Sequence, residues 1–516
     1  MINHLKSDRV FFKTMIAIGL PIAMQNLIAS SLSMVDTIMI GQLGETEIAS
    51  VGLANQITFL LHLFLFGISS GSAIFTAQYW GNKDLANVKK ILGLGLVSAA
   101  SLAAVFTLLA FFIPVQLLRI FTNDPAVLAL GSDYLRIVGF SFILMAVSFT
   151  LSSVLRSIGE AKLPMYISAG ALLMNTCLNY LLILGHFGFP ALGVRGAAIA
   201  TLISRVAEWM ILFGLIYGRR HLLAASIPEL LSFNRHYAAR FFKTTFPVVL
   251  NESLWAVGVT MYIIVYARMG TNNVAAINIA STIERLSMVL FFGLANAAAV
   301  MIGNQIGAGD LKKAFSYASR FAFIGPSLGV LTGLMLIFLS PFMLSFYQIS
   351  DSVFQSARGI LLIYGLIMPV RVFNIVNIVG ILRSGGDTRF TLMLDTVGVW
   401  VIAVPLAFLG GLYLGLPIEK VVLLIVIEEF FKAALGFWRF RSKKWINRLV
   451  GDSAHQHPQE TAQQVLPHDM TQEQPLEDGA APVKSHTRSA IDLYDLPVND
   501  PESTETCIGT SAGELK

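Results

Sequence analysis

Apolar segments long enough to cross a membrane recur between positions 11 and 438 of this chain. A helix of about 20 apolar residues spans the hydrocarbon core of a bilayer. Because 55% of the 516 residues are hydrophobic and only 13% are charged, the composition excludes an ordinary soluble protein of this length. The sequence therefore predicts an all-α integral membrane protein.

Twelve candidate transmembrane helices can be placed along the chain. They cover about residues 12–40, 47–78, 91–118, 134–156, 164–185, 192–217, 241–267, 274–304, 316–346, 357–382, 389–409 and 417–438. Most Lys and Arg residues fall in the connections on one side, which indicates that this side is cytoplasmic. We expect a multi-pass membrane protein with both termini in the cytoplasm. The net charge of +5 then reflects topology, and no nucleic-acid partner is expected.

An internal repeat divides the chain into two halves. A shift of 226 positions places "GLPIAMQNLIASSL" over "TFPVVLNESLWAVG", and it pairs Gly67 with Gly293 and Asp84 with Asp310. One residue later in register, "LRSIGEAK" matches "LRSGGDTR". Two six-helix lobes of the same orientation are implied, an architecture that suits alternating access. A duplication without a transport role is the alternative.

The repeat and the composition suggest four regions. These are an N-terminal lobe (1–217), a cytoplasmic linker (218–240), a C-terminal lobe (241–445) and a tail (446–516). The tail is polar and lacks periodic apolar residues, which is typical of disorder.

Asp36 lies inside the first apolar segment, where an ionised carboxylate without a partner is strongly unfavourable. At 3.6 residues per turn, one face of that helix carries Gln25, Ala29, Ser33 and Asp36. The stripe must face protein or water, and an ionisable residue inside a span indicates function by default. The alternative is that Asp36 is hydrogen-bonded for packing alone.

The fifth and sixth segments carry further polar groups. Asn175 and Asn179 share one helix face, and Thr201 aligns with Arg205 and Glu208. Oxygen ligands suit a hard cation, while a buried carboxylate can instead hold a proton. We predict a site for Na⁺ or H⁺, with metal ligands if the ion is Na⁺, formed by Asp36, Asn175, Asn179 and Thr201. Packing between helices is the alternative for the two Asn residues, and Arg205 with Glu208 is interpreted as a structural ion pair.

The seventh segment gives the second half its own acid, Glu252. Trp255 and Tyr262 lie on an adjoining arc, and a carboxylate beside aromatic rings attracts organic cations. Simple packing is the alternative for each ring. The predicted residues for substrate binding or coupling are therefore Gln25, Glu252, Trp255 and Tyr262. Other charges inside segments, Glu284, Arg371 and Asp395 among them, give weaker signals, and we interpret Arg371 as neutralising a nearby acid.

The ordered motifs resemble those of the multidrug and toxic compound extrusion (MATE) family. They are "LPIAMQN", "MVDTIMIGQLG", "TAQYWGNKD", "LRSIGEAK", "FPVVLNESL", "IGNQIGAGD" and "LRSGGDTR". The resemblance implies a V-shaped, two-lobed bundle that exports organic compounds, often cationic, in exchange for Na⁺ or H⁺. The family's N-lobe cation site matches at Asp36, Asn175 and Thr201, whereas Asn179 stands where some relatives have an acid. Glu252 matches the acid that many relatives carry on span seven.

This resemblance predicts a secondary active antiporter rather than an enzyme. Its partners would be a small organic substrate, a monovalent cation and the lipid bilayer; we expect a monomer and no cofactor. The alternative within membranes is a flippase for lipid-linked precursors, from the same broad superfamily. That function calls for a more cationic cavity. No Walker A loop, His-Glu-x-x-His motif or nucleophile elbow supports an enzyme.

Overall fold

The long apolar segments fold into helices whose backbone polar groups are satisfied within each segment, as a bilayer requires. The structure is a computed structural model that describes residues 2–450, with side chains from residue 9 onward. Helices of the first half are α1 (Ile2–Gly41), α2 (Glu45–Gly81), α3 (Leu85–Phe112), α4 (Pro114–Arg119), α5 (Pro125–Gly139), α6 (Phe142–Ser157), α7 (Lys162–Leu184) and α8 (Val194–Gly218).

A connection with one short helix, α9 (Ile227–Leu230), leads to the second half. Its helices are α10 (Arg235–Arg268), α11 (Thr271–Gly307), α12 (Leu311–Leu344), α13 (Asp351–Ile375), α14 (Thr388–Thr396), α15 (Val404–Phe408), α16 (Ile418–Ile425) and α17 (Ile427–Arg441). Three π-helical stretches, Val376–Leu382, Val397–Ala403 and Leu409–Tyr413, continue α13, α14 and α15 without a loop. No β-strand occurs within residues 2–450.

The predicted membrane spans agree with these helices over most of the chain. Within the described residues, ten helices are long and apolar enough to cross a bilayer, and an eleventh span is formed if α5 and α6, bent by 51°, count as one. The last predicted span, 417–438, is divided between α16 and α17 and contains Glu428, Glu429 and Lys432. The fold is thus an all-α membrane bundle, and the crossing by this last region stays a prediction.

The internal repeat is visible in the local geometry of the two halves. The Asp84 carboxylate caps α3 by accepting from the Asn87 backbone N–H at 3.0 Å. Its repeat partner, Asp310, caps α12 in the same way, accepting from the Lys313 N–H at 2.9 Å. Such caps satisfy a donor at the start of the helix. The same residue type therefore starts the third long helix of each half.

The two halves contact each other through their first two long helices. A Cβ on Gly67 of α2 would lie 2.7 Å from the Val249 Cα of α10, and one on Gly19 of α1 would lie 3.2 Å from the Gly293 carbonyl of α11. Only glycine allows backbones to approach so closely. We call the end of the bundle where α2 and α11 finish the basic end, because it carries Lys83, Lys89, Lys312 and Lys313.

Residues 446–450 correct one predicted boundary. The sequence placed the disordered tail from 446, whereas the structure packs this stretch against the bundle and buries Val450 to 2% exposure. The stretch "INRLV" retains apolar residues, and the polar composition starts only after it. The rest of the predicted tail, 451–516, lies outside the described residues.

Candidate ion and substrate sites

The Asp36 carboxylate lies near the end of α1 and is held by α7. Its Oδ1 atom accepts from the Asn179 amide at 2.9 Å and from the Thr176 hydroxyl at 3.4 Å. Asp36 is partly buried, whereas Asn179 is buried. The helical spacing of residues 175, 176 and 179 brings three polar side chains to one side of α7.

The Asn175 amide completes the enclosure of the carboxylate. With its nitrogen facing Asp36, it donates to Oδ2 at 3.0 Å, and its oxygen accepts from the Thr201 backbone N–H of α8 at 3.2 Å. This orientation satisfies both ends of the amide, whereas the opposite one would point its oxygen at the carboxylate. The structure thus brings together all four residues of the predicted cation site.

One oxygen of this cluster has no partner within the described chain. The Asn179 Oδ1 atom is buried and accepts no hydrogen bond, although the nitrogen of the same amide is bonded to Asp36. Buried polar atoms are normally paired, so an orphaned acceptor beside a carboxylate needs a reason. An acceptor of this kind is available to a cation or to a proton donor.

The cluster can exist in two chemically distinct arrangements. In the structure the amides donate to Asp36, which stabilises the ionised carboxylate without an ion. A half-turn of either amide replaces a donor by an acceptor, because the two ends of an amide are nearly the same size. The same residues can then present oxygen atoms to a hard cation, with the Thr201 hydroxyl close by.

Gln25 lies in a second polar network of the first half. Its amide donates to the Ser168 hydroxyl at 3.0 Å, and this hydroxyl donates to Glu208 at 2.8 Å. The predicted ion pair of Arg205 with Glu208 is confirmed at 2.7 Å. Arg156 approaches the Gln25 oxygen at 3.4 Å. Gln25 is therefore held by other side chains in this structure.

Glu252 of α10 lies in an ion pair that the sequence did not suggest. Its carboxylate is 2.8 Å from Arg383, a residue with only 3% of its side chain exposed. The two aromatic residues predicted beside it differ in environment, since Trp255 is 45% exposed while Tyr262 is buried with an unbonded hydroxyl. The charge of Glu252 is thus compensated within the protein in this state.

A connected network of charges surrounds this pair in the second half. Arg371 contacts Glu284 and lies 3.3 Å from Glu429, which confirms that it neutralises nearby acids. Lys432 lies 3.2 Å from Glu428 and 3.6 Å from Asp395. Asp395 in turn accepts from the amide of Asn251, the neighbour of Glu252, at 2.8 Å. Together with the Glu252–Arg383 pair, the network contains five carboxylates and three cationic side chains. The carboxylates are those of Glu252, Glu284, Asp395, Glu428 and Glu429, and the cations are Arg371, Arg383 and Lys432.

Sequence reasoning missed several of these residues for an identifiable reason. Glu428, Glu429 and Lys432 sit in the last predicted span, whose polar pattern signals an interior face. Arg383 follows an apolar run, so the charge distribution places it with most other Lys and Arg residues in a cytoplasmic connection. The structure instead continues α13 through the π-helical stretch to Leu382 and turns Arg383 inward. Thr176 carried no signal beyond its place between Asn175 and Asn179.

Comparison with known proteins places this architecture in one family. The family model MatE matches residues 21–181 and 247–409, which correspond to the two repeats. Among curated proteins, a transporter of Bacillus subtilis named YisQ is 26% identical over 419 residues, covering 80% of this chain and 90% of that protein. The multidrug resistance protein NorM of Burkholderia vietnamiensis is 28% identical, covering 82% of this chain and 92% of NorM.

Solved structures share the fold at low sequence identity. A multidrug resistance MATE family transporter of the MOP superfamily, in an outward-facing conformation, gives a TM-score of 0.75 at 20% identity and covers 84% of this chain and 95% of its own. A MATE crystal structure in the bent conformation gives a TM-score of 0.77 with the same coverage. With a family model over more than half of its length, the chain belongs to the multidrug and toxic compound extrusion (MATE) family, a family of transporters and not of enzymes.

Proposed function

We propose that this transporter is a secondary active antiporter that exports amphipathic or cationic organic compounds in exchange for Na⁺ or H⁺. The observation that carries the proposal is the Asp36 carboxylate, enclosed by Asn175, Asn179 and Thr176 with the Asn179 oxygen left unpaired. An acid held in this way inside a membrane protein is suited to bind and release a cation.

Coupling requires that the ion bind two conformations of the protein with different affinity. In our proposal, entry of the ion neutralises Asp36 and turns the surrounding amides, which changes the contacts between α1 and α7. This rearrangement favours release of the exported compound. The emptied transporter then opens on its other side.

The charge balance of the second half supports a cationic substrate. Five acidic side chains there face three cationic side chains, so acidic groups outnumber basic groups in this network. Glu252 and Trp255 remain the proposed substrate contacts, with Tyr262 beside them and Gln25 across in the first half. Relatives such as the NorM proteins are named as multidrug resistance proteins, which supports the same class of compound.

A flippase for lipid-linked precursors is the second candidate. The presence of Arg371, Arg383 and Lys432 in the second half favours it, because a pyrophosphate headgroup needs cationic partners. All three are engaged by carboxylates in this structure, which supports the antiporter instead.

We also propose an orientation. The basic end would lie in the cytoplasm, because the cytoplasmic loops of membrane proteins carry an excess of Lys and Arg. The close contacts described between the halves, at Gly19 and Gly67, lie in the part of each helix nearer that end. The structure would then represent a state open to the outside, in a monomer of a bacterial inner membrane.

The proposal can be tested in proteoliposomes with a fluorescent organic cation such as ethidium. Na⁺ and pH gradients are imposed separately, and the Asp36→Asn variant is compared with Asp133→Asn. Asp133 forms an exposed pair with Arg195, so its variant controls for loss of a carboxylate elsewhere. We expect one gradient to drive transport in the wild type and in Asp133→Asn, and neither gradient to do so in Asp36→Asn.

Two results would reject this function. Gradient-driven transport that persists in Asp36→Asn would show that coupling resides elsewhere. Transfer of a fluorescent lipid-linked pyrophosphate between leaflets, without transport of the cation, would support the flippase.

A further inference from the structure

The chain continues past α17 as a segment that is firmly attached to the second half. Trp445 is completely buried, and its indole N–H donates to the Phe440 carbonyl at 3.1 Å. Two residues later, the Asn447 backbone N–H donates at 3.0 Å to the carbonyl of Gly385, in the turn before α14. Residues 445–447 therefore move with the second half.

The same segment then crosses to the first half at the basic end. Gln78, near the end of α2, is completely buried and donates to the carbonyls of Ser384 at 3.0 Å and Asn447 at 3.2 Å. The oxygen of this amide accepts from the Leu449 backbone N–H at 2.7 Å. The Gln78 amide of the first half thus binds the segment through both its nitrogen and its oxygen, at Asn447 and Leu449.

An apolar contact reinforces these hydrogen bonds. Val450 is 2% exposed and belongs to a cluster composed mainly of first-half side chains, Tyr79, Val88 and Ile91 among them, which also contains Phe241 of α10. Arg448 adds a longer contact from its guanidinium to the Asn82 side chain, at 3.5 Å. The segment therefore ends in the hydrophobic surface of the half opposite to the one that carries α17.

We propose that residues 447–450 act as a latch that holds the basic end closed and must leave the first half when the transporter opens there. The latch is covalently joined to α17, so separation of the two halves at this end breaks its bonds to Gln78 and withdraws Val450 from the cluster. This inference rests on the alternating opening contained in the proposed function. It adds a structural element that sets the balance between the two states.

The latch makes a quantitative prediction. Because it is made only in the closed state, its loss shifts the equilibrium toward the state open at the basic end. Replacing the buried Val450 with Asp should raise the ratio of open to closed molecules by about tenfold or more, which corresponds to about 1.4 kcal/mol. The expected direction is independent of which ion drives transport.

The experiment uses the full-length protein with both native cysteines, Cys177 and Cys507, replaced by alanine. Lys162 and Lys312 are each replaced by cysteine and spin-labelled. Both residues are exposed at the basic end, Lys162 in the first half and Lys312 in the second. Distances between the labels are measured by double electron-electron resonance. Val450→Asp should enrich the long-distance population, whereas Lys444→Asp, which also introduces an aspartate but at an exposed position before the latch, should leave the distribution unchanged.

A second measurement keeps the latch attached. Cysteines at Asn82 and Arg448 are joined by a reducible bis-thiosulfonate linker, and ethidium transport is followed before and after reduction. We expect the linked protein to be inactive and reduction to restore transport.

Each outcome bears on the latch separately from the antiport proposal. An unchanged distance distribution in folded Val450→Asp, or transport that continues with the linker in place, would overturn the latch. A shifted distribution in a protein that transports no cation under either gradient would support the latch and reject the antiporter.

Discussion

The Glu252 carboxylate and the Arg383 guanidinium form a buried ion pair at 2.8 Å. The repeat places Arg156 at the position equivalent to Arg383, and Asn26 at that of Glu252. Among the described residues, the Arg156 side chain accordingly forms no ion pair, and its only hydrogen-bond partner is the Gln25 amide oxygen, at 3.4 Å. The two lobes thus share a fold but not a charge pattern, because Asn26 stands in the first half where Glu252 stands in the second.

Removal of one partner from the Glu252 pair should destabilise the protein. Glu252→Gln leaves a buried guanidinium without its carboxylate, and such single replacements cost about 3–5 kcal/mol. The double variant Glu252→Gln with Arg383→Gln should recover part of that loss. Thermal unfolding in detergent measures both, with Arg195→Gln as control, since its exposed pair contributes about 0–1 kcal/mol.

Equal stability of Glu252→Gln and the wild type would show that the ion pair is not maintained in the membrane protein. In that case the carboxylate would be free for a substrate cation. Transport of ethidium should then fall more strongly than transport of a neutral compound.

A change at Asn179 should alter ion binding in a direction set by charge. Asn179→Asp adds a second carboxylate next to Asp36, so a cation should bind more tightly and stabilise the protein at lower concentration. Asn179→Leu keeps the approximate size but removes the hydrogen bond at 2.9 Å to Asp36, and the cation effect should weaken. The measurement is the melting temperature as a function of Na⁺ concentration, or of pH if Na⁺ has no effect.

The opposite order, with Asn179→Leu binding the cation more tightly than Asn179→Asp, would contradict the proposal that this side chain belongs to an ion site. Thr107→Val offers a control, because its hydroxyl bonds to the Gly139 carbonyl away from the site.

The contact between α2 and α10 should tolerate no added side-chain atom at Gly67. A Cβ there would lie 2.7 Å from the Val249 Cα, so Gly67→Ala must push the two helices apart. We expect a loss of about 1–3 kcal/mol. Gly52→Ala on the same helix has open space around its Cβ and should be neutral or stabilising by up to about 1 kcal/mol. Thermal melting of the two variants side by side makes the comparison; equal melting temperatures would argue against this close packing.

The loop that precedes α10 should lose stability in acid. Glu229 closes a capping box by accepting from the Ser226 N–H at 2.7 Å, and it also pairs with Lys89 at 3.0 Å. The Ser226 backbone bond, followed by Lys89 and the Ser226 hydroxyl, lowers the pKa of Glu229 from 4.5 to about 2. Because the folded-state pKa is depressed, this contribution is fully present above pH 4.5 and disappears as the pH falls toward 2.

The measurement compares melting temperatures of the wild type and Glu229→Gln across that pH range. The wild type should melt at a higher temperature than Glu229→Gln at about pH 6, where the Glu229 carboxylate is ionised in both the folded and the unfolded protein. The difference in melting temperature should nearly vanish at about pH 2, which is the lowered pKa of Glu229 in the folded protein. A difference that is constant with pH would show that the carboxylate charge is not responsible.

Much of the cluster around Asp36, the proposed cation site, could be predicted because helical spacing is local information. Asn175 and Asn179 are four residues apart, and Asp36 shares a face with Gln25, so the 3.6-residue period already indicated inward faces. The repeat likewise follows from the chain alone. It pairs Asp84 with Asp310, and the structure shows that each of them caps the third long helix of its half.

The ion pairs of the second half could not be predicted in this way. Spacing identifies the face of a helix but not the residue across from it, and Glu252 and Arg383 are far apart in sequence. The inward turn of Arg383 also depends on the π-helical stretch before it, whose extra residue per turn rotates everything that follows.

The sequence by itself determined that this protein is a helical membrane transporter of two repeats with an acid at Asp36, because hydrophobic length, periodicity and order of motifs are properties of the chain. Only the tertiary structure decided which charges neutralise each other and that residues 447–450 close over Gln78. Those outcomes depend on the packing of helices that are distant in sequence. A buried charge or a buried backbone N–H is stabilised by whichever partner the fold brings within hydrogen-bond distance.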